Sequence, residues 1–364
     1  MRSRPLSRLL SRPPLIALAV AATLAVGVAA TPSGASSTRG KSNGDTIRLV
    51  THDSFAVSQD VLDAFTARTG IKVELLQGGD AGTVVNQAIL TKDNPIGDVL
   101  FGIDNTFLTR ALQADIFERY QSPALDTVPE SLRLDPKSRV TPVDYGDVCI
   151  NYDKQWFASH DVKVPKTLQD LTKPAYKGKL VVEDPSTSSP GLAFLLATIS
   201  EYGPRKWQRY WEQLRANDVQ VVDGWEQAFY DEFSGGGGGG SRPLVVSYAS
   251  SPPASVYFAD PPTDEATIGT MTGACFRQVE FAGILKGTEH EAAARKFVDF
   301  LLSEQFQSDI PLQMFVFPAR DGTPLPKVFQ QFADVPTDPH TLPASKIGAG
   351  RDEWIREWTG TVLR

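Results

Sequence analysis

The sequence is poor in the residues that build metal and redox sites. Its 364 residues include two cysteines and four histidines, and the histidines are scattered without the spacing of metal ligands. No H-E-x-x-H or C-x-x-C motif occurs, so the minimal parts of a zinc site are missing. We therefore expect a protein that has no catalytic residue, no bound metal and no cofactor.

Basic residues are outnumbered as well. The chain has 36 lysines and arginines against 43 aspartates and glutamates, which gives a formal net charge of −7 at pH 7. Nucleic acid requires a basic face that neutralises its phosphates, so this balance argues against a nucleic-acid partner. A long-range field of this sign mildly favours cationic ligands.

Composition and length indicate a globular protein with more than one core. Apolar residues make up 41% of the chain and charged residues 22%, as in folded rather than disordered proteins. A single core rarely extends over 364 residues. Two lobes or two domains are therefore expected.

The first 30 residues have the pattern of an export signal. Four arginines and no acidic residue precede an apolar run over residues 15–30. At the end of this run, Val28-Ala29-Ala30 offers the small residues that signal peptidase requires. The run spans about 16 residues, fewer than the roughly 20 of a membrane-spanning helix. We predict a cleaved Sec-type signal over residues 1–30 and a periplasmic or cell-envelope location; the alternative is an uncleaved anchor.

Strand-like and helical stretches alternate after a polar tether over residues 31–44. The predicted strands cover residues 46–50, 71–76, 98–102, 180–183, 219–222 and 244–248. The predicted helices cover residues 58–69, 83–92, 108–114, 191–201, 204–216 and 289–302. Alternation at this pace indicates a parallel α/β sheet.

Two further apolar segments, residues 141–152 and 272–285, are predicted to connect two lobes. The first lobe comprises residues 45–147 and 277–364, and the second comprises residues 148–276. A chain that leaves one α/β lobe, builds another and returns would enclose a cleft between them.

Six consecutive glycines at residues 235–240 are predicted to form a flexible surface loop, because glycine has no side chain to pack. No Lys-Ser or Lys-Thr pair follows them, as a phosphate-binding P-loop would require.

Polar residues cluster where predicted strands turn into helices. Such turns cover residues 51–55, 79–83 and 102–105. Ligands of open α/β sheets bind beyond the carboxyl ends of the strands, where these turns would lie. The same residue types also serve as ordinary helix N-caps, so each turn alone has two interpretations.

In these turns and beyond, the chain resembles the periplasmic thiamine-binding proteins. The matching blocks are THDSF at 51–55, GIDN at 102–105, DYG at 144–146, DPSTSSPGL at 184–192, GW at 224–225, SYASSP at 247–252, QVE at 278–280, IP at 310–311 and EWIREW at 353–358. Nine blocks in the same order cover nearly all of the chain after residue 46.

The resemblance implies a two-lobed type II periplasmic binding protein fold that closes on thiamine, thiamine monophosphate or thiamine pyrophosphate. It also implies a monomeric receptor, not an enzyme, that delivers its ligand to the membrane permease of an ABC importer. The implied ligand contacts are His52, Asp80, Ala81, Ser188, Trp225, Tyr248 and Phe315.

Each part of such a ligand needs a different partner. Trp225, Tyr248 and Phe315 offer aromatic faces to the pyrimidine and the cationic thiazolium. Asp80 offers a carboxylate that accepts hydrogen bonds and offsets the positive charge. Residues 186–189 precede a helix whose free N–H groups would favour a phosphate.

The chain departs from the family pattern at four positions. His52 and Ala254 stand where the family presents tyrosine, Phe315 stands where it presents tryptophan, and Ala81 stands where it presents glycine. We therefore expect less aromatic area in the cleft and leave the rank order of thiamine, its phosphates and the free pyrimidine open.

Two alternatives remain at this point. Thiaminases share the fold, so Cys149 could be a nucleophile with Glu280 as its acid or base partner. A receptor of the same fold for another ligand, such as a metal chelate or a polyamine, is the second.

In the resembled fold the connecting strands lie side by side, which implies a Cys149–Cys275 disulfide after export; the alternative is two buried free thiols. The disulfide would exclude the nucleophile.

Overall fold

The computed structural model describes residues 45–364. The predicted signal over residues 1–30 and the predicted tether over residues 31–44 lie outside the described residues. Among the helices of residues 45–364, none is both long and apolar enough to cross a membrane.

The strands of the described chain form one mixed sheet. They are β1 (Thr46–Thr51), β2 (Lys72–Gln77), β3 (Val99–Asp104), β4 (Thr141–Asp153), β5 (Leu180–Glu183), β6 (Gln220–Val222), β7 (Leu244–Tyr248), β8 (Ile268–Ile284) and β9 (Phe317–Pro318). Their order is β2-β1-β3-β8-β4-β7-β5-β6, and β9 pairs with β4.

Parallel pairing is confined to the two ends of this sheet. Strand β1 runs parallel to β2 and β3 at one end, and β5 runs parallel to β6 and β7 at the other. The long strands β4 and β8 in the centre are antiparallel to each other and to their outer neighbours. The two predicted connections are therefore the central strands of the sheet, while the lobe boundaries within them remain a prediction.

The helices lie close to their predicted positions. They are α1 (Gln59–Thr69), α2 (Ala81–Leu90), α3 (Leu108–Ala114), α4 (Lys154–Ser159), α5 (Ser189–Tyr202), α6 (Trp207–Ala216), α7 (Pro252–Tyr257), α8 (Glu291–Leu301), α9 (Glu304–Gln313), α10 (Lys327–Phe332) and α11 (Ala344–Val362). A π-helical segment, Gln227–Glu232, lies between β6 and β7.

Two helices begin two residues earlier than predicted because of their caps. Helix α2 begins at Ala81, since the side chain of Asp80 accepts a hydrogen bond from the Ala81 amide. Helix α5 begins at Ser189, since the Ser188 hydroxyl accepts one from the Gly191 amide. Both caps lie at strand-to-helix turns.

Helix α8 buries the face that its apolar spacing selects. Phe297, Val298 and Leu301 are buried against β1 and its neighbours, and each such side chain contributes about 1.5–3 kcal/mol. Ala292, which the apolar pattern would place on this face, is exposed, and Ala293 is buried instead.

The two cysteines of the chain are joined. Cys149 on β4 and Cys275 on β8 form a disulfide with Cα atoms 4.3 Å apart. Both are buried and pack with Ala249 in a small apolar cluster. Neither offers a free thiol.

Candidate functional site

A cavity of about 600 Å³ opens at the turns that follow the strands. It receives six of the seven sequence-predicted residues: His52, Asp80, Ala81, Trp225, Tyr248 and Phe315. These residues come from segments up to 263 positions apart, and the sheet order brings them together. Ser188 is not among the residues that line the cavity.

One wall of the cavity is aromatic. The indole of Trp225 stacks on Phe229 with ring centroids 4.9 Å apart, and its Nε1 donates to Ser247 Oγ at 2.9 Å. The hydroxyl of Tyr248 donates to Gln278 Oε1 at 3.1 Å. Burial, followed by the charge of nearby Glu280, raises the pKa of Tyr248 well above its ordinary value, so its phenol stays neutral.

A second aromatic group lies at the rim. Phe258, which follows α7, is 68% exposed, and its ring centroid lies 5.5 Å from that of Phe315. Phe315 has φ 54°, a conformation that bulky residues rarely adopt outside functional turns. Phe229, Tyr230 and Phe258 therefore add aromatic lining to the three rings predicted from sequence.

Sequence reasoning missed Phe258 although a signal was present. Phe258 stands four residues after Ala254, so the two positions share one side of a helical turn. Both line the cavity. An aromatic ring lost at one position can thus be supplied by the other.

The glycine run also contributes to this wall. Gly235, Gly236 and Gly237 line the cavity, and the exposed stretch of the run covers Gly237, Gly238 and Gly239. A Cβ atom at Gly236 would collide with the carbonyl oxygen of Phe229. Glycine is therefore required there by a close backbone approach.

Asp80 joins three elements. Its Oδ1 accepts hydrogen bonds from the Ala81 amide at 2.6 Å and the Ser189 amide at 3.2 Å, and its Oδ2 accepts one from the Trp225 amide at 2.9 Å. Burial raises the pKa of Asp80, and the hydrogen bonds from Trp225, Ser188 and Ser189 oppose that rise. The carboxylate is thus both a helix cap and the tie between α2, α5 and the Trp225 turn.

Ser188 lies behind the cavity. Its side chain is fully buried, and its hydroxyl accepts from the Gly191 amide at 3.3 Å. The next residue, Ser189, lines the cavity and donates its hydroxyl hydrogen bond to Asp104. The serines at the start of α5 are therefore engaged with protein groups.

Three buried carboxyl groups lie side by side across the central strands. In the sheet register Asp104 of β3 faces Glu280 of β8, and Glu280 faces Asp144 of β4. His52 Nε2 lies 3.2 Å from Glu280 Oε1. Asp144, Glu280 and His52 line the cavity, and we call these three residues with Asp104 the acid row.

The environment of the acid row raises the pKa of three of its groups and so favours their protonated forms. Burial, followed by the charge of Glu280, raises the pKa of Asp144 well above its ordinary value. Burial also raises the pKa of Asp104 to about 6, against hydrogen bonds from Ser189 and Thr106. For His52, burial opposes the charged imidazole, but the carboxylates of Glu280, Asp80 and Asp53 together outweigh it and the pKa is raised.

The lining of the cavity has no basic residue apart from His52. No lysine or arginine of residues 45–364 lies among the residues that line it. The ionisable acids of the lining are Asp53, Asp80, Asp144, Glu226 and Glu280. Aromatic faces beside carboxylates suit a flat cation.

Comparison with known proteins agrees with this geometry. Residues 94–337 match the family model described as bacterial extracellular solute-binding protein. The chain belongs to this family of bacterial extracellular solute-binding proteins. It is a solute receptor of the periplasmic binding protein fold and not an enzyme, and Cys149, bonded to Cys275, has no thiol for the thiaminase alternative.

Individual members of the solute-binding family match over nearly the whole chain. The chain is 30% identical to a thiamine-binding periplasmic protein of Salmonella typhimurium and 29% identical to that of Escherichia coli, in each case over 87% of this chain and 94% of the relative. A solved periplasmic thiamin binding protein is 26% identical, with a TM-score of 0.77 over 88% of this chain and 96% of that one.

Proposed function

We propose that this solute-binding protein is a receptor for thiamine or a thiamine phosphate and hands its ligand to the permease of an ABC importer. The observation that carries the proposal is that aromatic rings and the carboxyl groups of the lining lie together in one cavity of about 600 Å³. Thiamine is flat, cationic and able to donate hydrogen bonds, so it matches both surfaces.

The aromatic wall accounts for the first part of this recognition. A cation held over the face of Trp225 or Tyr248 gains about 0.5–2 kcal/mol. Phe258 and Phe315 at the rim would cover the bound rings from the solvent side. The relatives named above are thiamine-binding proteins, which supports the same ligand here.

Closure of two lobes accounts for the second part. The predicted first lobe contains Asp80, and the predicted second lobe contains Ser189 and Trp225, whose amides donate to that carboxylate. We propose that these hydrogen bonds form when the lobes close over the ligand. The disulfide on the central strands would leave that motion free, because it lies within the connection about which the lobes turn.

Export accounts for the location. The signal pattern of residues 1–30 supports Sec-type export with cleavage, and the receptor would then work as a monomer outside the cytoplasm, where an oxidising compartment maintains the disulfide.

Isothermal titration of the purified protein with thiamine, its two phosphates and the free pyrimidine tests the proposed function. We expect at least one thiamine form to bind more tightly than about 10 μM, which corresponds to about −7 kcal/mol. If every form binds more weakly than that limit, the receptor has another ligand.

A further inference from the structure

The C-terminal helix α11 packs against both predicted lobes. Its first half contacts α3 of the predicted first lobe, where Thr109 Oγ1 donates a hydrogen bond to the carbonyl oxygen of Ala344 at 2.9 Å. Its second half contacts α6 of the predicted second lobe, where Gln208 Nε2 donates to Glu357 Oε2 at 3.0 Å. Because one continuous helix of 19 residues spans both contacts, a change in the angle between the lobes must shift or break one of them.

The contact with the second lobe is aromatic and buried. Trp358 of α11 and Trp211 of α6 are 0% and 1% exposed, and their rings meet edge to face with centroids 5.4 Å apart. Arg215 of α6 also donates a hydrogen bond to the carbonyl oxygen of Thr361 at 2.9 Å. The indole N–H of Trp358 has no hydrogen-bond partner within the described chain, but separating the two rings would expose a large apolar area to water. This contact is therefore costly to break.

The contact with the first lobe depends on charged side chains. The guanidinium of Arg351 on α11 is buried and lies 4.5 Å from the ring centroid of Phe107, which precedes α3. The same carboxylate oxygen, Asp352 Oδ1, lies 2.6 Å from Arg351 Nη1 and 3.7 Å from Arg110 Nη1 of α3. The Nε atoms of both arginines are buried and have no hydrogen-bond partner among residues 45–364. One carboxylate thus serves two cations on opposite sides of the helix contact.

That carboxylate is exposed, which limits what it can hold. Burial lowers the pKa of Arg351, the charge of Asp352 opposes this shift, and the charge of Arg110 adds to it. Arginine nevertheless stays cationic in proteins, so without Asp352 two positive groups would face each other between α3 and α11. The side chain of Asp352 is 76% exposed, and exposed ion pairs are weak. Of the two contacts of α11, the one with α3 is therefore the one that gives way.

We infer that α11 moves with the second lobe, and that its contact with α3, held by Asp352, forms only when the lobes close. Asp352 is then a positioning residue that raises ligand affinity from outside the cavity, because it stabilises the closed arrangement to which the ligand binds. The inference rests on the proposed closure of two lobes, and it transfers α11 from the predicted first lobe to the second.

Distances between spin labels in the ligand-free protein give the first test. Exposed positions are available on α11 (Arg356→Cys), on the first lobe (Glu74→Cys) and on the second lobe (Lys177→Cys). Labels attach only to the introduced thiols, because Cys149 and Cys275 are paired. Double electron–electron resonance should give a narrow distance distribution between α11 and the second lobe. It should give broad distributions between α11 and the first lobe and between the two lobes.

Two results of this measurement would overturn the inference. A narrow distribution from α11 to the first lobe with a broad one to the second would mean that α11 moves with the first lobe. Narrow distributions for all three pairs would mean that the lobes do not move, and the proposed closure would fall as well. Adding thiamine should narrow both broad distributions. If the ligand-free pattern is as expected but no thiamine form binds or narrows it, the inference stands and the proposed ligand is wrong.

The affinity for thiamine tests the role of Asp352. Asp352→Asn should weaken binding by about two- to fivefold, the range that an exposed ion pair supports, mainly through faster dissociation. The midpoint of denaturant unfolding should stay the same. Glu353→Gln is the matched control, because it removes the same charge from the next position of α11 but pairs with Arg356 of that helix. Stopped-flow fluorescence and calorimetry measure the rates and the affinity.

Three outcomes would remove Asp352 from this role. They are an unchanged affinity in Asp352→Asn, an equal loss of affinity in Glu353→Gln, and a loss of affinity matched by a lower unfolding midpoint. The last of these would make Asp352 a residue that stabilises the whole fold and not the closed state.

Discussion

Strands β4 and β8 are paired along most of their length, and two points along this pairing have opposite characters. At one, Cys149 and Cys275 are joined covalently and packed among apolar atoms. At the other, five residues earlier on β4, Asp144 faces Glu280 with one carboxylate oxygen unpartnered. The first point contributes to the stability of the fold. The second holds two buried carboxyl groups that can share a hydrogen bond only when one of them is protonated.

A second contrast lies between two buried carboxylates of the same cavity. Asp80 accepts three backbone hydrogen bonds, whereas Asp144 Oδ2 accepts none. The structure thus separates a carboxylate that is held by backbone donors from one that lines the cavity without such donors. The predictions below test this separation between structural and ligand-directed groups, from the largest effect to the smallest.

The largest effect is expected at the disulfide. Replacing both cysteines by alanine opens a loop of 126 residues and should lower the free energy of unfolding by about 4 kcal/mol. Thiamine affinity should change less than threefold, since neither cysteine lines the cavity. Denaturant unfolding and calorimetry measure the two quantities. A stability loss below about 1 kcal/mol would remove the contrast between the two points along the pairing of β4 and β8.

Trp225 should show the reverse pattern, in which the affinity changes more than the stability. Trp225→Ala removes a ring that stacks on Phe229 and lines the cavity, so binding should weaken by about 2–4 kcal/mol. Trp156→Ala is a suitable control, because this ring stacks on His160 away from the cavity. Unchanged affinity in the Trp225 variant would place the ligand elsewhere.

Asp80→Asn should have an intermediate effect on both quantities. Both carboxylate oxygens of Asp80 accept hydrogen bonds from backbone amides, and the asparagine has an NH2 group in place of one of them. That NH2 group would face a backbone N–H donor, which costs about 1–3 kcal/mol. All thiamine forms should bind more weakly, because the tie to Ser189 and Trp225 is lost. A variant with full stability and full affinity would show that these hydrogen bonds do not matter.

The positions of the strands and helices could be predicted from the sequence, because local signals determine them. Apolar runs placed every predicted strand within a few residues, and the caps at Asp80 and Ser188 shifted only helix starts. The family resemblance placed six residues on one cavity. Ser188 does not line the cavity, and its role toward a ligand stays a prediction, because a serine that caps a helix and one that faces a ligand look alike in sequence.

The acid row could not be predicted in the same way. Its members depend on which strands are neighbours and on a register that shifts between Phe101 and Ile103 and again between Pro142 and Asp144. One signal was available: Asp144 and Glu280 each interrupt an apolar strand with a charge. Buried charges in such positions are rarely structural without partners.

The smallest expected effect, on the pH dependence of stability, distinguishes Asp144 from Asp80 most directly. The folded protein holds the Asp144 proton above the pH at which an unfolded chain releases it, because burial beside Glu280 raises the pKa of Asp144. The folded state therefore binds more protons than the unfolded state above about pH 4, and this group makes stability fall as pH rises from there through its folded pKa. Asp144→Asn removes that dependence, so the melting temperature near pH 7 should stay equal or rise by a few degrees, while Asp80→Asn lowers it. Thermal unfolding from pH 4 to pH 8 measures the difference between the variants. A melting temperature that falls equally in both would mean that Asp144, like Asp80, is held by the fold and not kept for a ligand.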